Sequence, residues 1–169
     1  MPEAAIRIAS ERSFIGEAPG PNEDMKGVPF IGRSGKLLSR IIKESYNRIH
    51  PYSFFVLNTL ACFPLDKEKD TFREPNHVEL AACLPRVVET IELVQPKAVV
   101  FVGKTAAKLP TLLKKQNPAW WDMTPHFDKT VTIFHPSYIL RRGGHHSFEY
   151  KKTVDSLCSF LSPILGIPF

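Results

Sequence analysis

The sequence predicts an α/β protein: a single three-layer α/β/α domain over residues 1–169, built on a mainly parallel four-stranded central sheet. Three observations lead there. Short apolar runs alternate along the chain with segments of helical period, the pattern of a sheet whose strands are joined by helical crossovers. The runs Phe54-Phe55-Val56-Leu57 and Ala98-Val99-Val100-Phe101-Val102 are continuously apolar, as expected of strands covered on both faces. The polar and glycine-rich motifs follow the strands directly, at the end where open α/β sheets bind ligands.

The elements follow in order. Ala5–Ile8 has the composition of a short strand, and Ser13–Gly16 is the first clear one. A helix opens at Ser34, with Leu37, Leu38, Ile41 and Ile42 at helical spacing and Lys36, Arg40 and Lys43 opposite, and ends near Asn47. Ser53–Leu57 is a strand with Asn58 at its end, and Ala61 to Asn76 reads as an irregular polar segment. A helix runs from His77 to Val94 and stops before Pro96, since the residue ahead of a proline disfavours helical backbone. After the Ala98–Val102 strand, Gly103-Lys104-Thr105 leads into a helix through Leu113, and Gln116 to Lys129 is a loop. Val131–Phe134 is the last strand, and Ser147 to Leu161 the terminal helix.

At 169 residues the chain fits one domain able to bury a proper core. It has no apolar run of the roughly 20 residues that span a bilayer, and its first residues lack a signal-peptide core, so a cytoplasmic monomer is expected. A net charge of +5 favours a polyanionic partner. Three cysteines are an odd number and make no disulfide framework.

The chain is organised around Phe14 to Leu38, FIGEAPGPNEDMKGVPFIGRSGKLL. A strand breaks at Gly16-Glu17-Ala18-Pro19-Gly20, a loop carries Glu23 and Asp24, and Gly32-Arg33-Ser34-Gly35 enters the helix. A structureless loop of about 18 residues is uncommon in a compact domain unless it is functional. A strand end feeding a helix N-terminus lines a cleft with backbone N–H groups, which suits an anion or a polar heterocycle.

Together GEAPG, Glu23-Asp24 and GVPFIGRSGKLL resemble the first motif of the uracil-DNA glycosylase superfamily, and most closely its thermophile-type (family 4) branch. Val56-Leu57-Asn58-Thr59 and His135-Pro136-Ser137-Tyr138-Ile139-Leu140-Arg141 match the same branch in the same order. The resemblance spans Phe14 to Arg142. It implies an enzyme that flips uracil out of single- or double-stranded DNA and hydrolyses its N-glycosidic bond in base excision repair.

The resemblance also implies roles. The leaving base becomes anionic, and His135 would donate to the uracil carbonyl that gains charge. Outside that context, a histidine before proline is a turn cap. Asn58, with a donor and an acceptor, would read the uracil edge, although strand-end asparagines commonly form turns. Phe30 would stack on the flipped base, or pack the loop, and Ala18 would line the base site. Glu17 and Glu23 are the water-handling carboxylates. Much of the superfamily has an aspartate where this chain has Ala18, so the water falls to Glu23, with Glu17 supporting. Ser34, Ser137, Arg141 and Arg142 would contact the DNA backbone. Ile139, with Leu140 beside it, would wedge into the duplex; alternatively Tyr138-Ile139-Leu140 starts a helix and packs inward.

The thermophile-type branch usually carries a four-cysteine iron–sulfur cluster. Here only Cys62 and Cys83 lie in the matching region, Cys158 is far along the chain, and a cubane needs four ligands. No cofactor and no metal is therefore expected, with Cys62 and Cys83 as buried thiols. Gly20 stands where some relatives carry a bulky residue against the thymine methyl. An enzyme of the same scaffold acting on a modified pyrimidine, as in viral relatives, is the alternative activity. A non-catalytic DNA-binding module is a third reading, against which the joint presence of Glu23, Asn58 and His135 speaks.

Overall fold

The computed structural model describes residues 12–45, 54–66, 68, 69, 71–123 and 129–165. Four parallel strands, β1 (Arg12–Gly16), β2 (Phe54–Asn58), β5 (Ala98–Val102) and β6 (Thr130–Ile133), form the central sheet in the order β2-β1-β5-β6. The mainly parallel α/β sheet expected from the sequence is thus present. The Ala5–Ile8 strand falls outside the described residues.

Side-chain alternation on the strands divides the core in two. Phe14, Val100, Val102 and Ile133 meet Leu37, Leu38, Ile41 and Ile42 of α2 (Arg33–Ser45), Ile139 of α6 (Pro136–Arg141), and Tyr150, Leu157 and Leu161 of α7 (Phe148–Leu165). On the opposite face Ile15, Leu57, Val99 and Phe101 pack on Leu84, Val87 and Ile91 of α3 (His77–Val94) and on Leu109 and Leu113 of α4 (Leu109–Gln116). These are the three expected layers. Burying each such aliphatic side chain is worth about 1.5–3 kcal/mol, which fixes strand register, because a one-residue slip would swap the two faces.

Three segments differ from the sequence expectation. The long loop after β1 contains a helix, α1 (Pro21–Lys26), started by Pro21 and closed by Gly27 in the left-handed conformation at φ 65°. The polar segment after β2 forms an antiparallel hairpin of β3 (Leu65–Asp66) and β4 (Thr71–Phe72). The loop before β6 begins with α5 (Pro118–Met123). Elements this short carry too little periodicity to show in sequence and form because tertiary contacts hold them.

The hairpin is fastened to α3 through one carboxylate. Asn76 caps α3, accepting the N–H of Val78 and Glu79 at 3.0 and 2.9 Å, and Glu79 accepts the Asn76 N–H in return at 3.0 Å. Glu79 also takes both Arg73 nitrogens, at 2.8 and 2.5 Å, and chiefly this pairing pushes its carboxyl down to about 2. The linkage stabilises the fold above the ordinary carboxylate pKa and is lost as pH falls toward 2. Replacing Asn76 by Ala is expected to cost about 1 kcal/mol in urea unfolding at neutral pH with an unchanged m-value, and replacement by Gly only a few tenths. Equal stability of the Ala variant and the unaltered chain would show that the cap contributes nothing.

Candidate active site

The C-terminal ends of β1, β2 and β6 open into a cleft of ≈ 600 Å³. Glu17, Ala18, Glu23, Phe30, Ser34, Asn58, His135 and Ser137 all line it. The topology explains the meeting. After β1 the chain crosses to β2 on one side, while β5 and β6 lie on the other, so the crevice opens where strand order reverses.

The floor depends on Gly16. A Cβ there would collide with Asn58 Oδ1 and lie 2.7 Å from Phe30 Cζ, so the two side chains close over this residue because it has none. The Gly16 carbonyl accepts both the backbone N–H and the hydroxyl of Thr59, each at 2.9 Å, which locks the end of β2 beside it. From the far side Arg86 Nη2 of α3 donates to the Asn58 and Thr59 carbonyls at 2.7 and 3.2 Å. The Asn58 backbone is therefore fixed while its side chain faces the cleft. Phe30 adopts the left-handed conformation at φ 58°, rare for an aromatic, and its carbonyl lies where a Cβ on Gly35 would stand. Backbone strain held by close packing is a recurrent feature of ligand sites.

Glu23 is buried in the first turn of α1, where the helix end favours a negative charge. Its Oε1 accepts the Gly32 N–H at 2.7 Å, and Cβ atoms on Gly20 or Gly32 would lie 2.7 or 2.9 Å from its carboxylate oxygens. Two glycines thus make room for one carboxylate. Glu17 differs: burial, opposed by the Thr105 hydroxyl, raises its carboxyl above the ordinary value, and Glu74 adds to the rise. Its buried Oε1 has no hydrogen-bond partner among the described residues.

His135 caps α6. Its Nδ1 accepts the Ser137 N–H at 3.2 Å and lies 2.7 Å from the Ser137 hydroxyl. An accepting Nδ1 leaves the ring proton on Nε2. Burial, with a smaller contribution from the Arg141 guanidinium, lowers the His135 pKa, so the neutral imidazole persists below the ordinary histidine range. Gly103, at φ 94°, lets the ring approach: a Cβ there would be 3.0 Å from that of His135. The arrangement holds a neutral N–H donor in fixed orientation, which suits a developing oxyanion.

Two sequence expectations are corrected here. Ile139 is completely buried in the core with α2 and α7, and Leu140 packs against the same cluster, so Ile139 is no exposed wedge. Once His135 starts α6, Ile139 turns to the inner face, where burial outweighs projection into solvent. Arg141 and Arg142 are exposed, and Arg142 Nε donates to Glu149 at 3.2 Å. Cys62 is exposed rather than buried, and Cys83 and Cys158 are half-buried. Among the described residues no three His, Cys, Asp or Glu gather as a metal site.

Sequence reasoning passed over several residues of this site. Arg33 and the hairpin side chains Phe63, Leu65 and Phe72 also line the cleft, and Arg86 braces it. The sequence hint for the hairpin is a few apolar residues, Phe63, Leu65 and Phe72, in a polar segment, too little to place it.

Comparison with known proteins agrees with this geometry. The sequence model of the uracil DNA glycosylase superfamily matches residues 6–157. The type-4 uracil-DNA glycosylase of Thermotoga maritima is 34% identical over 135 residues, covering 76% of this chain and 65% of the relative. That of Sulfurisphaera tokodaii is 37% identical over 99 residues, 59% of this chain and 42% of the relative. That of Archaeoglobus fulgidus is 28% identical, covering 92% and 81%. The chain therefore spans less than two thirds of the Thermotoga and Sulfurisphaera enzymes and most of the Archaeoglobus one. A match over residues 6–157, with the three motifs meeting in one cleft, makes this chain a member of the uracil DNA glycosylase superfamily, similar to its type-4 branch.

Proposed function

We propose that the protein is a DNA glycosylase that extrudes a uracil nucleotide and hydrolyses its N-glycosidic bond in base excision repair. The observation carrying this reading is the convergence of a neutral His135, Asn58 and Phe30 on one cleft with two carboxylates. As the sugar–base bond breaks, its electron pair leaves with uracil. The Nε2–H of His135 donates to the carbonyl where that charge collects. Phe30 stacks on the base and Asn58 pairs with its edge. A water oxygen bonds to the sugar carbon, and its proton passes to Glu23, with Glu17 holding the water through its unpartnered oxygen. Ser34, Ser137, Arg141 and Arg142 hold phosphates, and the working form is a cytoplasmic monomer on DNA. Among the described residues no helix is long and apolar enough to cross a membrane.

A second reading has its own observation. The space beside Gly20 is taken by the Glu23 carboxylate rather than by a bulky group that would exclude a pyrimidine methyl. Action on a 5-substituted pyrimidine fits that geometry. Incubating the protein with oligonucleotides containing uracil, hydroxymethyluracil, thymine or hypoxanthine and scoring abasic sites separates the two. Abasic sites on none of them would remove the glycosylase reading.

His135→Ala is expected to slow single-turnover release of uracil from a single strand about 100- to 1000-fold with little change in DNA affinity, because the interaction strengthens in the transition state. Asn58→Ala should lose rate and also discrimination against cytosine. If His135→Ala cleaves at the unaltered rate, His135 is only a helix cap.

Gly16→Ala should leave the fold stable yet displace Phe30 and Asn58, since both are side chains able to swing away. The expected outcome is native far-ultraviolet circular dichroism with a large loss of single-turnover rate. Full activity would mean the pair is not held in its working position by Gly16.

The 169 residues hold three cysteines, Cys62, Cys83 and Cys158, fewer than the four ligands of a cubane, and the protein is proposed to work without an iron–sulfur cluster. Anaerobically purified protein should be colourless and hold no stoichiometric iron, and four irons per chain would overturn this.

A further inference from the structure

A second cavity, of ≈ 510 Å³, lies on the other side of the His135 turn, between β6, α6 and α7. Its volume falls within the about 300–1,000 Å³ of small-ligand sites. His135 lines both this cavity and the catalytic cleft, so the two are adjacent. Its aromatic wall is Phe134 and Tyr138, whose ring centroids are 5.6 Å apart and inclined by 32°. Lys152 of α7 sets its ammonium 6.0 Å from the Phe134 ring and 5.9 Å from that of Phe148, which is 72% exposed. Lys104 joins Lys152 among the lining residues, which include no carboxylate.

Two ammonium groups in a lining that holds no carboxylate favour an anion, and the exposed Tyr138 ring favours a flat partner. Phosphate and base supply both, and in single-strand binding sites a cationic groove is paired with such stacking faces. Continuity through His135 indicates which nucleotide: a strand that presents its target base to His135 brings the adjoining residue to this groove. We infer that the Phe134–Tyr138–Lys152 groove is a subsite for the nucleotide flanking the excised one, its base stacked on Tyr138 and its phosphate held by Lys152 and Lys104. The inference rests on the glycosylase reading above and gives the site a requirement for strand on one flank of the target base.

The test uses short single strands bearing one uracil, in which the neighbour on either side is replaced in turn by a baseless tetrahydrofuran spacer. Release of uracil from the unmodified strand reads the glycosylase function by itself. The neighbour effect then reads the groove. Removing the base on one flank, and not the other, is expected to lower kcat/KM by about 5- to 150-fold, the range that loss of base–aromatic stacking gives. In Tyr138→Leu, which keeps the wall apolar, the same spacer should cost nothing further. Lys152→Gln should reduce the salt slope of log affinity for the single strand by about 0.7. Uracil release that ignores both spacers would overturn the subsite while leaving the glycosylase intact. So would a Tyr138→Leu chain that keeps the full neighbour effect, or a Lys152→Gln chain with an unchanged slope; the groove would then serve an acidic peptide or another occupant.

Discussion

The site depends on a side chain that is missing. Gly16 ends the central strand β1, and the volume a Cβ would fill there is occupied by the tip of Asn58 and the edge of Phe30. Its carbonyl at the same time takes two hydrogen bonds from Thr59, which draws the end of β2 level with the end of β1. The Asn58 amide and the Phe30 ring thus meet from segments far apart in sequence. The sheet supplies the rigidity, because its central strands β1 and β5 are fully buried between two helical layers.

The same device recurs around the cleft. Gly20 and Gly32 leave the space occupied by the Glu23 carboxylate, Gly35 lets the Phe30 carbonyl approach α2, and Gly103 admits the His135 ring. Each glycine removes one Cβ so that a functional group can sit closer to the backbone than any other residue would permit. Polar groups held this way need little reorganisation during a reaction, which is the condition under which fixed donors stabilise developing charge. The two glutamates illustrate the consequence. Glu23 is satisfied by a backbone N–H, whereas half-buried Glu17 keeps one buried oxygen without a partner among the described residues, so the two carboxylates of the cleft are held differently.

The α6 turn shows how one residue sets several others. His135 uses Nδ1 to cap the helix, and that single acceptor role fixes its tautomer, aims Nε2 and starts the helical phase. Four residues on, the phase carries Ile139 into the core, while Tyr138, Arg141 and Arg142 remain exposed. The protein surface beside the cleft is therefore aromatic and cationic rather than aliphatic.

The sequence by itself determined the fold class, the order of the main strands and the placing of the motifs at strand ends. Those follow from local patterning: apolar runs such as Ala98–Val102, helical spacing in Leu37, Leu38, Ile41 and Ile42, and the breaks at Gly16 and Pro136. It also singled out Glu17, Glu23, Phe30, Asn58 and His135, through the resemblance of three motifs, taken in order, to the glycosylase superfamily. Tertiary structure alone decided which way Ile139 points, because the choice between wedge and core depends on the helical phase set by a histidine cap and on a hydrophobic layer completed by α2 and α7. It alone placed Arg86 behind Asn58 and the Phe63–Phe72 hairpin beside the cleft, contacts between segments too short or too distant to leave a periodic trace. Patterning records how a residue relates to its near neighbours; burial, tautomer and the meeting of distant side chains arise only when the layers close.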